Sequence, residues 1–184
     1  FVSGATPSKS RNDFWVGSTP WVSPKDMKIT KIYDAQDHVS ESAFEETNLK
    51  LLNPGHILIV VRGMILAHSF PVALNCVPVA INQDMKGILP STQFDVGFLI
   101  GSIRQLKRKI LSEVSTAAHG TKRLDSIGMK EILVPLPPLE LQQRFAAIVE
   151  SVEQQKVAQR AHLMELDTLF AALQQRAFAG ELVA

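Results

Sequence analysis

Cysteine is almost absent: Cys76 is the only one in 184 residues. No disulfide can close within the chain, and a cysteine-based metal site is excluded. An excess of either charge is also missing, since the formal net charge is +1, so the overall balance selects no partner. No long hydrophobic run occurs. Leu51–Ala67 is apolar, but Asn53, Pro54, Gly55, His56 and Arg62 interrupt it, so it cannot span a membrane. No signal-peptide pattern opens the chain, and a cytoplasmic location is expected. A chain that opens on Phe1 reads as a fragment of a longer one.

Catalytic patterns are missing too. Gly63, Gly87, Gly97 and Gly101 are isolated, so no glycine-rich phosphate or cofactor loop follows a strand. His38, His56, His68, His119 and His162 lack metal-ligand spacing. Ser115 and His119 form no nucleophile–base pair without a third, orienting group. Asn53-Pro54-Gly55-His56 lacks the second proline and the aromatic that an amino-methyltransferase would stack on a flipped base. A binding module is expected rather than an enzyme, with no cofactor and no metal.

What is present begins with the last quarter of the chain. Pro137 and Pro138 suit a helix start. From Leu139 to Ala179 there is neither proline nor glycine, and Gly180 stands ready as a stop. A rod of about 60 Å follows at the helical rise. Phe145, Ile148 and Val152 share a heptad phase with Leu166, Leu169 and Leu173; between them the phase places Gln155, Gln159 and His162. This seam, apolar at both ends and polar in its middle, predicts a coiled coil whose polar layers set register. Gln159 is the midpoint, so two antiparallel copies bring it beside its own mate. The other reading is a helix that folds back on its own domain.

Hydrophobic residues make up 46% of the chain, enough for a globular core ahead of the rod. Residues 1–28 are rich in turn formers. They carry Trp15 and Trp21 among Lys9, Arg11, Lys25 and Lys28, which reads either as a nucleic-acid surface or as tryptophans plugging a small core. Short strands are predicted at Ile29–Tyr33, Ile57–Val61, Val72–Leu74, Val77–Ile81 and Glu131–Val134. Helices are predicted at Ser40–Leu49 and Asp95–Glu113. The loop Ser115–Arg123 combines hydroxyls, glycine and cations, which suits either solvent or a phosphate backbone. The acidic stretch Asp34–Glu46 and the basic stretch Arg104–Arg123 separate the charge. The fold class is therefore α+β, a mixed α/β globular domain followed by a long C-terminal helix.

The strings Gly4-Ala5-Thr6-Pro7-Ser8, Phe14-Trp15, Gly17, Thr19-Pro20-Trp21-Val22 and Asp26 open a pattern. It continues in Pro54-Gly55, Ile57-Leu58, Val61-Arg62-Gly63, Ile81-Asn82-Gln83, Gly120-Thr121 and Pro135-Leu136-Pro137-Pro138-Leu139. It closes at Ala177-Phe178-Ala179-Gly180-Glu181-Leu182. Taken in order, this resembles the DNA specificity subunit of type I restriction–modification systems over nearly the whole chain. One detail departs from the family: Leu141 stands before Gln142 where a Glu-Gln pair is usual.

The resemblance implies a target recognition domain over residues 1–136 and a spacer and dimerisation helix over residues 137–184. Such domains read one half of a split sequence in double-stranded DNA. Their long helices pair antiparallel as a coiled coil; methyltransferase subunits add the methyl group, and a restriction subunit joins the full complex. The family usually carries two recognition domains and two helices per chain. This chain has one of each, so it is either half of a longer subunit or a half-size subunit that forms a homodimer. On this reading Lys9, Arg11, Lys25, Arg62, Lys122 and Arg123 contact phosphate or guanine, and Ser8, Asn82, Gln83 and Thr121 are polar readers. A second reading makes the chain chiefly an assembly module with little DNA affinity of its own.

Overall fold

A computed structural model describes residues 1–117 and 120–181. Ala118 and His119 of the basic loop, and Leu182 of the closing string, lie outside the described residues. The strands are β1 (Val2–Ser3), β2 (Thr19–Val22), β3 (Lys31–Ile32), β4 (Asp37–Val39), β5 (Ile57–Val60), β6 (Val72–Asn75), β7 (Ala80–Ile81), β8 (Met85–Ile88), β9 (Ser115–Thr116) and β10 (Lys122–Arg123). The helices are α1 (Glu41–Glu46), α2 (Val96–Gln105), α3 (Lys107–Ser112), α4 (Ser126–Lys130) and α5 (Leu139–Phe178). Residues 1–143 form one compact unit, and the chain from Arg144 onward forms a second.

In the first unit a five-stranded sheet runs β1-β8-β5-β6-β3. β5 lies at its centre, antiparallel to both neighbours, with Ile57 opposite Leu74 on one side and Ile88 on the other. All four β5 side chains are buried, which accounts for its unbroken β-branched and leucine run. Each such burial contributes about 1.5–3 kcal/mol. Leu99, Ile100 and Ile103 of α2 and Ile110 of α3 join the same core.

A smaller sheet, β4-β2-β7, covers a second core of Phe14, Trp21, Val39, Ala43, Leu49 and Ala80. Trp21 is buried there, and its ring meets Trp15 edge-on at 5.0 Å. The tryptophans therefore serve packing. Trp21 Nε1 donates to the Ala5 carbonyl and Trp15 Nε1 to the Ser8 carbonyl, which pins the loop after β1. Gly4 makes that approach possible: a Cβ there would lie 2.0 Å from the Asn82 carbonyl oxygen.

Two buried amides hold segments that no strand or helix joins. Asn75 is fully buried; its Oδ1 accepts from His56 N, and its Nδ2 donates to the carbonyls of Leu52, Asn53 and Val77. Gln142, also fully buried, accepts from Asp95 N and donates to the carbonyls of Gln93 and Pro137. Asp95 in turn caps α2 by accepting from Phe98 N at 2.9 Å. The first turn of α5 is thus fastened to the start of α2.

Two sequence expectations change. Asp95–Glu113 is not one helix: α2 ends at Gln105, and Leu106, with φ −77° and ψ 2°, separates it from α3. Neither proline nor glycine marks the break, and Ile103 and Ile110 are buried on either side of it. Glu131–Val134 is not a strand either. Ile132 and Val134 pack on the core while Leu133 is exposed, so its alternation comes from an extended segment lying on the core without a ladder partner.

The second unit is the remainder of α5. Apart from Gln142 in its first turn, α5 has no buried residue. Phe145, Ile148, Val152, Leu166, Leu169 and Leu173 are each at least 40% exposed. The helix stops as expected at Gly180, φ 74°. Glu181 N donates to the Arg176 carbonyl and Gly180 N to that of Ala177, the bonds of a Schellman cap.

Asn75→Ala is expected to lower unfolding stability by about 2–4 kcal/mol, because several buried groups lose their only side-chain partner; urea denaturation measures this. Gln142→Leu is expected to speed amide hydrogen exchange in residues 139–143 by about tenfold or more, with a smaller effect on the β5 amides.

Candidate nucleic-acid interface

Beyond its last ladder residue, β5 runs into Val61-Arg62-Gly63, and this segment is held along both edges. On one side Val61 N and Arg62 N both donate to the Asp84 carbonyl, at 2.8 and 3.1 Å. On the other side Leu124 N donates to the Val61 carbonyl and Gly63 N to the Lys122 carbonyl, at 2.9 Å each. Arg62 and Arg123 form an isolated antiparallel bridge. Gly63 adopts φ 137°, a conformation that L side chains rarely take. The hairpin of β9 and β10 is thereby docked on the end of the central strand.

The consequence is a gathering of charge. Arg62, Gln83, Lys86, Arg123, Asp125 and Ser126 line one polar depression, floored by Val61, Leu124 and Met129. Three of the expected site residues, Arg62, Gln83 and Arg123, meet here although they are far apart in the chain. Lys122 stands next to them on β10, its Nζ donating to Thr116 Oγ1 at 2.8 Å. Thr121 directly precedes that strand and is half-buried. Lys86 is not among the expected site residues; the pairing of β8 with β5 brings it here.

Asn82 is half-buried and shapes the turn that precedes β8. Its Oδ1 accepts from Asp84 N at 2.6 Å, and its Nδ2 reaches Thr6 Oγ1 at 3.5 Å. The turn therefore connects the depression with the loop after β1. Ser8 and Lys9 on that loop are exposed, with the Lys9 ammonium 5.5 Å from the Trp15 ring centre.

Arg62 is itself paired, its Nε donating to Asp84 Oδ1, and two other expected cations are engaged as well. Arg11 Nη2 contacts Asp13 at 2.6 Å and Glu46 at 3.1 Å, and its guanidinium lies over Phe14. The Arg11 hydrogen bond holds the Asp13 carboxyl below the usual carboxylate range. Lys25 Nζ pairs with Asp37 at 2.8 Å. Within the basic stretch, Arg104 Nη2 donates to the Val72 carbonyl and ties α2 to β6, whereas Lys107, Arg108 and Lys109 are exposed on α3. Among the described residues no group of three or more His, Cys, Asp or Glu side chains is arranged to hold a metal ion, and no helix is long and apolar enough to cross a membrane.

The chain resembles known proteins along most of its length. It is 34% identical over 154 residues to the EcoR124I/EcoR124II type I restriction enzyme specificity subunit of Escherichia coli, covering 83% of this chain and 38% of that protein. The MjaIX specificity subunit of Methanocaldococcus jannaschii is 28% identical over 154 residues, covering 80% and 34%. The chain thus spans well under half the length of either relative. Its fold superposes on the HsdS subunit from Thermoanaerobacter tengcongensis with a TM-score of 0.65 at 21% identity, over 98% of this chain and 42% of that one. A chain from a structural study of type I R-M complex assembly and conformational transition gives 0.70 at 22% identity, over 98% and 43%. Residues 1–165 match the type I restriction modification DNA specificity domain, and the chain belongs to that family.

Proposed function

We propose that this chain recognises one half of a bipartite target in double-stranded DNA and performs no chemistry itself. The observation that carries the reading is the convergence of Arg62, Lys86 and Arg123 with Gln83 around one depression. Cations beside an amide donor–acceptor supply the two kinds of contact a DNA reader needs: phosphate contacts to position it and base-edge contacts to specify sequence. Lys9, Ser8, Asn82, Thr121 and Lys122 extend this face. Arg11 and Lys25 contribute less, since neither lines that depression and each is paired with a carboxylate elsewhere.

On this reading the division of labour follows residues 1–136 and 137–184. The globular part reads, and the long helix spaces and assembles. Methylation belongs to partner methyltransferase subunits and cleavage to a restriction subunit. The exposed row from Phe145 to Leu173 pairs antiparallel with a second such helix, from another copy or from a second half, with Gln155, Gln159 and His162 as its polar middle. About 60 Å of helix spans a little under two turns of duplex. That same exposed row supports the second reading, in which assembly dominates and DNA affinity arises only in company. Affinity for duplex that appears solely when a methyltransferase subunit is added decides for that reading.

Lys122→Ala and Arg123→Ala are each expected to weaken binding to all duplex sequences alike. Each should lower the slope of log affinity against log salt by about one; an unchanged slope removes that residue from the phosphate contacts. In a Cys76→Ser background, Gln159→Cys is expected to form an oxidised dimer and Leu169→Cys is not. Antiparallel pairing about the midpoint sets the two 169 positions about 30 Å apart, whereas parallel pairing cross-links both.

A further inference from the structure

Arg62 lines the depression together with Lys86 and Arg123, yet its Nε is held by the Asp84 carboxylate, a partner that works against Arg62 if phosphate attraction is its sole task. We propose that Asp84 is a positioning residue, which steers Arg62 toward a guanine base edge and away from the phosphate backbone. The inference rests on the DNA-reading function proposed above.

Asp84 is tied to Arg62 twice. Its carbonyl accepts the main-chain N–H groups of Val61 and Arg62, and its carboxylate Oδ1 accepts from Arg62 Nε. The acid is itself fixed, because Asn82 Oδ1 accepts from Asp84 N and β8 begins one residue later. The Asp84 side chain is 28% exposed and that of Arg62 47%, so the pair is neither sealed off nor free in solvent. With Nε occupied, the remaining donors of Arg62 are all on Nη1 and Nη2, and they form a fork matching guanine O6 and N7.

Charge and geometry divide the work between the cations. A phosphate contact needs net positive charge and tolerates poor alignment. A base-edge contact needs alignment, because both acceptors must be met at once. A carboxylate on Nε lowers the net charge at Arg62 and restricts its rotamers, which harms the first role and favours the second. Arg123 and Lys86 carry no such carboxylate among the described residues and suit the first. The segment Val61-Arg62-Gly63, bonded along both edges, gives the fork the rigid base that precise contacts require.

The test selects a randomised duplex pool with the full chain, then repeats the selection with Asp84→Asn, Asp84→Glu, Arg62→Ala and the Asp84→Asn/Arg62→Ala double variant. Asp84→Asn keeps the main-chain bonds, and a thermal melt checks the fold of every variant. The expected result is a wild-type motif in which one guanine loses about tenfold of its preference in Asp84→Asn, while the other positions keep theirs. Arg62→Ala loses the same position, the double variant loses no more there than Arg62→Ala, and Asp84→Glu restores part of the preference. Affinity for unselected duplex stays level or rises in Asp84→Asn, since a negative charge has left. An unchanged motif in Asp84→Asn, or an even loss at all positions as a merely structural role would give, overturns the inference while the DNA reading stands. A wild-type chain that selects no motif overturns the DNA reading and the inference together.

Discussion

Burial of β5 on both faces is the constraint from which the globular unit follows. Ile57 and Leu58 are completely buried, and Val60 is too. A strand with no solvent-facing side must be paired on both edges and covered above and below. β6 and β8 satisfy the edges, and α2 and α3 contribute the apolar cover. The strand then has one way to reach solvent, along its own axis. The residue that emerges beyond Val61 is Arg62, so the position of a charged side chain at the surface is set by the hydrophobic effect acting on its neighbours.

Polar groups inside the unit do the joining that short strands leave undone. Several of the strands have only two residues, too short to hold long connections in place. Asn75 replaces missing ladder bonds by serving three carbonyls and an amide from the segments around it. Gln142 does the same where the first turn of α5 leaves the globular unit. Each amide is costly to bury and cheap once saturated. Such residues therefore specify one arrangement of loops more sharply than an apolar side chain of the same size would.

Some of this was legible in the chain and some was not, for physical reasons. The buried run Ile57–Val61 and the long helix with its glycine stop carry strong local signals, and both appear with nearly the expected bounds. The break at Leu106 has no local signal, since the residues on either side are good helix formers. Ile103 and Ile110 are buried on either side of it. Glu131–Val134 shows the reverse case, in which alternation is real but reports packing on a core rather than pairing. Within the candidate site, cationic side chains could be named from composition and resemblance. Their neighbours could not. Asp84 is absent from the expected site residues, and Arg11 and Lys25 read as available, because ion pairs between distant segments leave no trace in a linear pattern.

The clamp on Val61-Arg62-Gly63 has an evolutionary consequence. Its hydrogen bonds run through peptide groups of residues 61 to 63, 84, 122 and 124, and nearly every amino acid supplies such groups. Side chains at 62, 84 and 123 are thus exchangeable without undoing the scaffold that displays them, with proline barred at 61, 62, 63 and 124, whose N–H groups donate. Selection can then act on chemical preference separately from foldability, a decoupling that favours rapid diversification of a surface whose framework stays put.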